Sequence, residues 1–394
     1  MIRLCTITTT PITIKAFFGE QLNFMRANEY DVTIITSPIM AKSESFGCRF
    51  QDGITYKSVQ MDRVIRPYED IKAFFKILLL LKRSKFDIIQ YATPKAALIG
   101  SVASWLVRIP VRLYLMWGLY YVTQSGIKKK IFKFFEKIVC LLSTDITPDS
   151  KGNCRFAVEE GLCSKGKIEV ILHGSANGVD TERFNPRRCA KAGIEVRNAL
   201  QIPLAARVFG SITPIVGDKG ANELISAFIQ IAEKYNDVYL LIVGDTEEKD
   251  PVNNQTLKII KNHSKIRNVG FQKEPERYLA AMNYFILPTY REGFGVVNIE
   301  ASAMQLPVIS TDVPGPQESI IDGKTGLLVP ARKVKPLLKA MKRFLDDPRL
   351  ARQLGIKGRQ RVQQCFEQKQ LWNAILEHRK ALLIKSKRFK AEYI

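Results

Sequence analysis

The chain has 394 residues, 46% of them hydrophobic, and a formal net charge of +22. That length allows two domains with sizeable cores, and the apolar content excludes a disordered chain. No apolar run nears the roughly 20 residues that a membrane-spanning helix needs. The positive excess serves solubility or an anionic partner. It is unevenly spread: residues 1–185 carry 26 Lys and Arg against 17 acids, residues 186–330 carry 16 against 16, and residues 331–394 carry 18 against 5.

Residues 1–7 open directly as a strand, without the basic start and apolar core of a secretory signal. Short apolar runs then alternate with helical stretches. A first series of strands is expected at 2–8, 32–37, 87–92, 111–116, 145–148 and 168–173. A second is expected at 207–212, 238–244, 266–271, 284–288, 307–311 and 326–329. Such alternation builds parallel sheets with helices on both faces. Two series predict two doubly wound, Rossmann-like domains, 1–186 and 187–369, with a helical tail. Ligands of these sheets bind beyond the carboxyl ends of the strands, so two facing edges would enclose an interdomain cleft. Seven cysteines without metal-ligand spacing and three histidines point to reduced thiols in a cytosolic compartment, with no metal site.

Three patterns along the chain could carry function. Residues 72–85 and 128–137 mix lysines with large apolar residues at helical spacing. Such helices lie on anionic membrane surfaces, although a core helix with a solvated lysine face has the same pattern. Residues 207–220 read as strand, loop and helix start, with Lys219-Gly220 placed to meet an anionic phosphate. Residues 284–304 read as a buried strand, a glycine-rich turn and a helix. There Glu292 and Glu300 stand eight positions apart. Glu300 faces the same cleft as Glu292 only if the glycine-rich loop folds back. On spacing alone, two solvated acids fit equally well.

The segment Arg291-Glu292-Gly293-Phe294-Gly295-Val296-Val297-Asn298-Ile299-Glu300 resembles the Glu-x7-Glu motif of retaining GT-B glycosyltransferases of family 4. The likeness runs on through Ala301-Ser302-Ala303-Met304, Pro314-Gly315-Pro316-Gln317-Glu318 and Asp322-Gly323 to Pro330, about forty residues in all. It implies the GT-B α/β fold, with the last helix, about 370–394, packed back on the first domain. It also implies retaining transfer of a sugar from a nucleotide sugar, expected to be a UDP-sugar, giving an α-linked product without metal or cofactor.

By the same resemblance, Glu292 and Lys219 are the catalytic candidates. Glu292 would contact hydroxyls of the donor sugar, and Glu300 the ribose hydroxyls, as suits an acceptor-only carboxylate. The N–H groups of Phe294 and Gly295 would orient the sugar, and those of Val296 and Val297 the diphosphate. Gly293 belongs to the same turn, and Arg291 adds positive charge. The family carries an arginine five positions before the lysine of its phosphate loop; here that position is Pro214. The loop containing Phe271 would hold the base. Gly19 falls where the family's first loop nears the diphosphate, its usual glycine neighbour replaced by Phe18.

The Thr93-Pro94-Lys95-Ala96 segment resembles one in bacterial transferases that build capsule, O-antigen or related lipid-linked glycans. It places Thr93 and Lys95 on the acceptor side, with Lys95 suited to an acceptor phosphate. Arg63 and Arg66 fit the same group's pattern. Histidines common just before this segment are replaced by Gln90 and Ala92. The expected partners are a nucleotide sugar, a lipid-linked or growing glycan and an anionic membrane surface, with no nucleic acid. The expected location is the cytoplasm, peripherally on the inner face of the plasma membrane. A GT-B nucleotide-sugar epimerase is a rival that the Glu292/Glu300 spacing disfavours. A basic nucleic-acid-binding protein rests on charge alone. A degenerate transferase, slowed by the Pro214 departure, is the third alternative.

Overall fold

The computed structural model describes residues 1–38, 53–62, 64–247 and 250–386. The chain divides into two compact units, one running to Asn177 and resuming at Lys369, the other Gly178–Gln368. The sequence reading set these breaks at 186/187 and 369/370. The first falls at 177/178 because Val179 pairs in parallel with Glu367 and Gly178 lies against the Phe366 carbonyl, which ties residues 178 onward to the second unit.

The first unit holds a parallel sheet of β1 (Ile2–Ile7), β2 (Tyr30–Thr36), β3 (Thr55–Ser58), β4 (Ile88–Tyr91), β5 (Val111–Met116) and β6 (Asp145–Pro148). Their order is β3-β2-β1-β4-β5-β6. Helices Pro67–Ser84, Pro94–Leu106 and Gly126–Leu142 cover one face through Ala73, Ile77, Ala96, Ala103 and Val139. Helices Pro11–Phe17, Gln21–Ala27 and Gln368–Lys385 cover the other through Ile14, Leu22, Leu371, Ile375 and Leu382. Burial on both faces explains why β4 is buried at every residue. Proline begins the helices at 11, 67 and 94, where its missing N–H costs no bond.

Two expectations for this sheet are corrected. Residues 168–173 do not form a strand: only Ile168 bridges to Ile146, and Leu172 at φ +51° turns the chain away. The sixth strand is instead β3, at the sheet edge. Its sequence, Thr-Tyr-Lys-Ser, is largely exposed and has no apolar run to announce it.

The second unit repeats the plan with β7 (Arg207–Ile212), β8 (Val238–Val243), β9 (Ile266–Asn268), β10 (Tyr284–Leu287), β11 (Val308–Thr311) and β12 (Leu327–Val329), ordered β12-β11-β10-β7-β8-β9. In both sheets the connections diverge at one point: between β1 and β4, and between β7 and β10. There successive crossovers leave to opposite faces, and a crevice opens past the carboxyl ends of the strands. The loops after those four strands are therefore where ligand chemistry belongs.

Candidate functional site

In the second unit, Lys219 follows β7 on the short turn Gly217–Lys219. The next residue, Gly220, has φ +70°, and a Cβ there would lie 2.0 Å from the Pro288 carbonyl oxygen past the end of β10. Only glycine lets the two loops close so tightly. Lys219 Nζ consequently donates to Glu292 Oε1 at 2.6 Å and lies 3.4 Å from the Arg291 carbonyl. The two side chains are 18% and 22% exposed, so the pair is shielded yet reachable. Arg291 Nη2 stands 3.4 Å from Asp218 Oδ2, and its Nε is buried with no partner. Thr289 Oγ1 donates to the Arg291 carbonyl at 2.9 Å, and Thr311 donates to the Thr289 carbonyl. Gly315, at φ +94°, supports the loop from beneath: a Cβ there would lie 2.8 Å from the carbonyl oxygens of both Glu292 and Gly293.

Two cations and two carboxylates thus meet at the β7/β10 switch point. An ammonium held by a partly open carboxylate can exchange it for diphosphate oxygens, which also accept charge-assisted bonds. The following helix, Val296–Ala303, is capped by Gly295 at φ +81°. Its first N–H groups, those of Val296 and Val297, have no intrahelical acceptor, and the positive end of the helix dipole lies with them. The Phe294 ring is 2% exposed and packs edge-on against Phe366 at 5.3 Å. It anchors the loop in the core, so only its backbone can meet a ligand.

Glu300 does not join the Lys219 cluster. It faces Arg183, whose guanidinium donates to Glu276 at 2.8 Å. Burial pushes the Glu300 carboxyl up from 4.5 to about 7; Arg183 opposes the rise and Glu276 adds to it. A raised acid favours its protonated form in the fold. Its contribution to stability is therefore full below about 4.5 and is lost as pH rises through about 7. The charged form costs up to about 3 kcal/mol above neutrality, so Glu300→Gln should unfold later than wild type in alkaline buffer. Hydroxyl groups that donate to the carboxylate lower its pKa again. UDP binding near pH 7 should then release a fraction of a proton, read by titration calorimetry in two buffers of different ionisation heat. In Glu300→Gln the release should fall to what the terminal phosphate alone gives up; release equal to that of wild type would remove Glu300 from the ribose.

Phe271 is half-exposed beyond β9, next to Gly270 at φ +66°. Its N–H already donates to Asp245 Oδ1 at 3.3 Å. The expected backbone edge for a base is thus engaged, and a base would have to displace Asp245.

In the first unit the β1/β4 switch point is spanned by two threonines. Thr93 Oγ1 accepts from the Thr9 N–H at 3.1 Å and lies 2.7 Å from Thr9 Oγ1. Thr93 has φ +69°, unusual for a β-branched residue. Lys95 is corrected. Its Nζ donates to Asp70 Oδ1 at 2.5 Å and to the Val64 carbonyl at 2.6 Å, with the pair 12% and 22% exposed. The ammonium ties two helix starts together, and an acceptor phosphate would have to displace Asp70 to reach it. Gly19, at φ +49°, links two helices; its N–H donates to the Ile14 carbonyl at 3.2 Å, and the Asn177 side chain is close by. That N–H is engaged within the turn. Gln90 is wholly buried, bonded to Thr6 and accepting from Arg379 of the last helix at 3.3 Å, so it joins sheet to helix. Arg63 lies outside the described residues. Among the described residues, no cluster of three or more His, Cys, Asp or Glu could hold a metal ion, and no helix is long and apolar enough to cross a membrane.

Sequence reading missed Thr9, Asp218 and Arg183. Thr9 and Asp218 sit at strand and turn ends flagged only by the strand order. Arg183 is more than a hundred residues from Glu300, and no spacing could join them.

Residues 194–361 match the family Glycosyl transferases group 1, and residues 11–150 match Glycosyl transferase 4-like. The capsular polysaccharide biosynthesis glycosyltransferase CapM of Staphylococcus aureus is 30% identical over 355 residues, 90% of this chain and 91% of that one. The chain belongs to the GT-B glycosyltransferases of the capsule and O-antigen type. This transferase is also 24% identical, over 72% of its length and 73% of the other's, to an Escherichia coli UDP-Gal:alpha-D-GlcNAc-diphosphoundecaprenol alpha-1,3-galactosyltransferase. Sucrose-phosphate synthase from Thermosynechococcus elongatus shares its fold with a TM-score of 0.80 at 20% identity, covering 98% of this chain and 100% of that one. Anabaena HepE in complex with UDP-glucose does so with a TM-score of 0.78 at 17% identity, covering 97% and 100%.

Proposed function

We propose that this glycosyltransferase moves a sugar from a UDP-sugar to a lipid-linked or growing surface glycan, with retention and an α-linked product, and without a metal. The observation that carries the reading is the Lys219–Glu292 pair at the β7/β10 switch point. A transferase that uses no metal needs fixed cations and N–H dipoles to receive the charge developing on the leaving diphosphate. Lys219, Arg291 and the N–H groups of Val296 and Val297 are those donors. Glu292 accepts from the sugar hydroxyls once Lys219 turns to phosphate. The named substrates of the E. coli relative and of a Campylobacter jejuni N-acetylgalactosaminyltransferase, both diphospho-undecaprenol sugars, support the acceptor class.

The acceptor class also implies work at a membrane surface. Helix Pro67–Ser84 leaves Tyr68, Ile71, Phe75 and Leu79 exposed, and helix Gly126–Leu142 leaves Ile127, Ile131, Phe134 and Leu141 exposed, each stripe flanked by lysines. Those faces suit an anionic interface.

The test is nucleoside-diphosphate release from UDP-, GDP- and ADP-sugars in EDTA, with and without lipid-linked acceptors. Release from one donor that rises with acceptor and survives EDTA supports the reading. Release that needs a divalent cation, or none from any donor, overturns it.

A further inference from the structure

A groove of about 580 Å³ opens in the first unit, on the edge of the sheet opposite to the loops described above. Leu81, Phe86 and Ile109 form its buried floor, and the half-exposed Leu106 stands at its side. It lies where helices Pro67–Ser84 and Pro94–Leu106 end and before β4 and β5 begin. Lys82, Lys85 and Arg108 stand around it, all exposed, and no acid lines it. Among the described residues, none of these three side chains enters an ion pair. Lys85 and Arg108 adopt φ +41° and +56° at the helix ends, where glycine is the usual residue. The two helix C-termini that meet here each favour cations, which accounts for the charge but not for the apolar floor that it surrounds. The exposed Leu79 and Trp105 are chain neighbours of the lining residues Leu78 and Leu106.

We infer that this groove binds an anionic phospholipid, with an acyl chain on the Leu81–Phe86–Ile109 floor and the phosphate among Lys82, Lys85 and Arg108. Charge complementarity selects the anionic headgroup. The apolar floor selects a lipid over a free phosphate. The site is separate from the acceptor: Thr93 follows the carboxyl end of β4, while Phe86 precedes its amino end. Because it shares helix Pro67–Ser84 with an exposed apolar stripe, an occupied groove would fix how the first unit rests on the bilayer. The inference rests on the membrane reading above.

The full chain is floated with vesicles of phosphatidylcholine alone and of phosphatidylcholine with phosphatidylglycerol. Three cations near a surface should change the partition about a hundredfold. The expected result is retention on the anionic vesicles, lost by that factor in Lys82→Gln/Lys85→Gln/Arg108→Gln. The charge-matched Lys333→Gln/Lys335→Gln/Lys339→Gln variant, at exposed lysines outside both membrane-facing helices, should lose clearly less; equal losses would mean diffuse attraction and overturn a defined site. Soluble dioctanoyl phosphatidylglycerol should bind wild type and not Leu106→Asp, and glycerol phosphate should not compete. Competition by glycerol phosphate or inorganic phosphate at similar concentration would overturn the lipid. Donor turnover with a detergent-soluble acceptor should be unchanged in the Lys82/Lys85/Arg108 variant. Absent turnover in wild type sinks the transfer reading and leaves the vesicle comparison standing. Unchanged vesicle binding of that variant sinks the site and leaves the transfer reading standing.

Discussion

Replacing Glu292 with alanine should tighten UDP binding while removing transfer. The two effects have opposite signs because Glu292 has two calls on its carboxylate. In the free protein it holds Lys219 Nζ at 2.6 Å in a pair about one-fifth exposed. A diphosphate must compete for that ammonium. Removing the competitor frees the cation, worth roughly fivefold in UDP affinity, or about 1 kcal/mol. The sugar hydroxyls then lose their acceptor, and the donor is no longer held for attack. Loss of a positioned polar group at the reacting centre costs about 10²- to 10³-fold in kcat. Lys219→Ala should lose transfer to a similar degree but should weaken UDP binding. Titration calorimetry with UDP, beside product release from the donor, separates the two. If Glu292→Ala weakens UDP binding as Lys219→Ala does, the pair is structural; if it transfers at wild-type rate, Glu292 has no part in the chemistry.

The second sheet was readable because its strands are short apolar runs broken by glycine and proline, and its loops carry a dense motif. β10 and the turn to Glu300 could be placed to within a residue or two. What the motif did not reveal is partnership. Glu292 and Glu300 stand eight residues apart across a glycine-rich bend, yet one meets Lys219 and the other Arg183. A spacing of eight gives each acid an address, but the neighbour comes from a strand order that no local pattern encodes. Lys95 illustrates the same limit. Its position after β4 fits an acceptor cation, but Asp70, far off in sequence, already holds it. The edge strand β3 escaped for another reason. An edge buries little and needs no alternating apolar face, so Thr55–Ser58 carries no signal. Ile168–His173 has that signal without the pairing, since only Ile168 reaches β6.

By the family resemblance, Pro214 stands where the phosphate loop carries an arginine, and a compensating role for Arg291 makes a testable expectation. Its guanidinium touches Asp218 at 3.4 Å, a weak tether, and its Nε is buried without a partner. A cation so loosely held, one residue from Glu292, can turn to a diphosphate with little to give up. Arg291→Gln should therefore weaken UDP binding more than uridine monophosphate binding. It should also lower kcat by about 30- to 10³-fold, the loss of about 2–4 kcal/mol of charge stabilisation. The decisive companion is Pro214→Arg. Pro214 is exposed, so an arginine there projects outward at little cost to the core. In the Arg291→Gln background, Pro214→Arg should restore part of both the UDP affinity and the rate. In the wild-type background it should add little. A structural role for Arg291 would show as a loss of thermal stability that Pro214→Arg cannot repair. Equal weakening of UDP and uridine monophosphate, with no rescue, would take Arg291 away from the diphosphate and leave Lys219 as its principal side-chain cation.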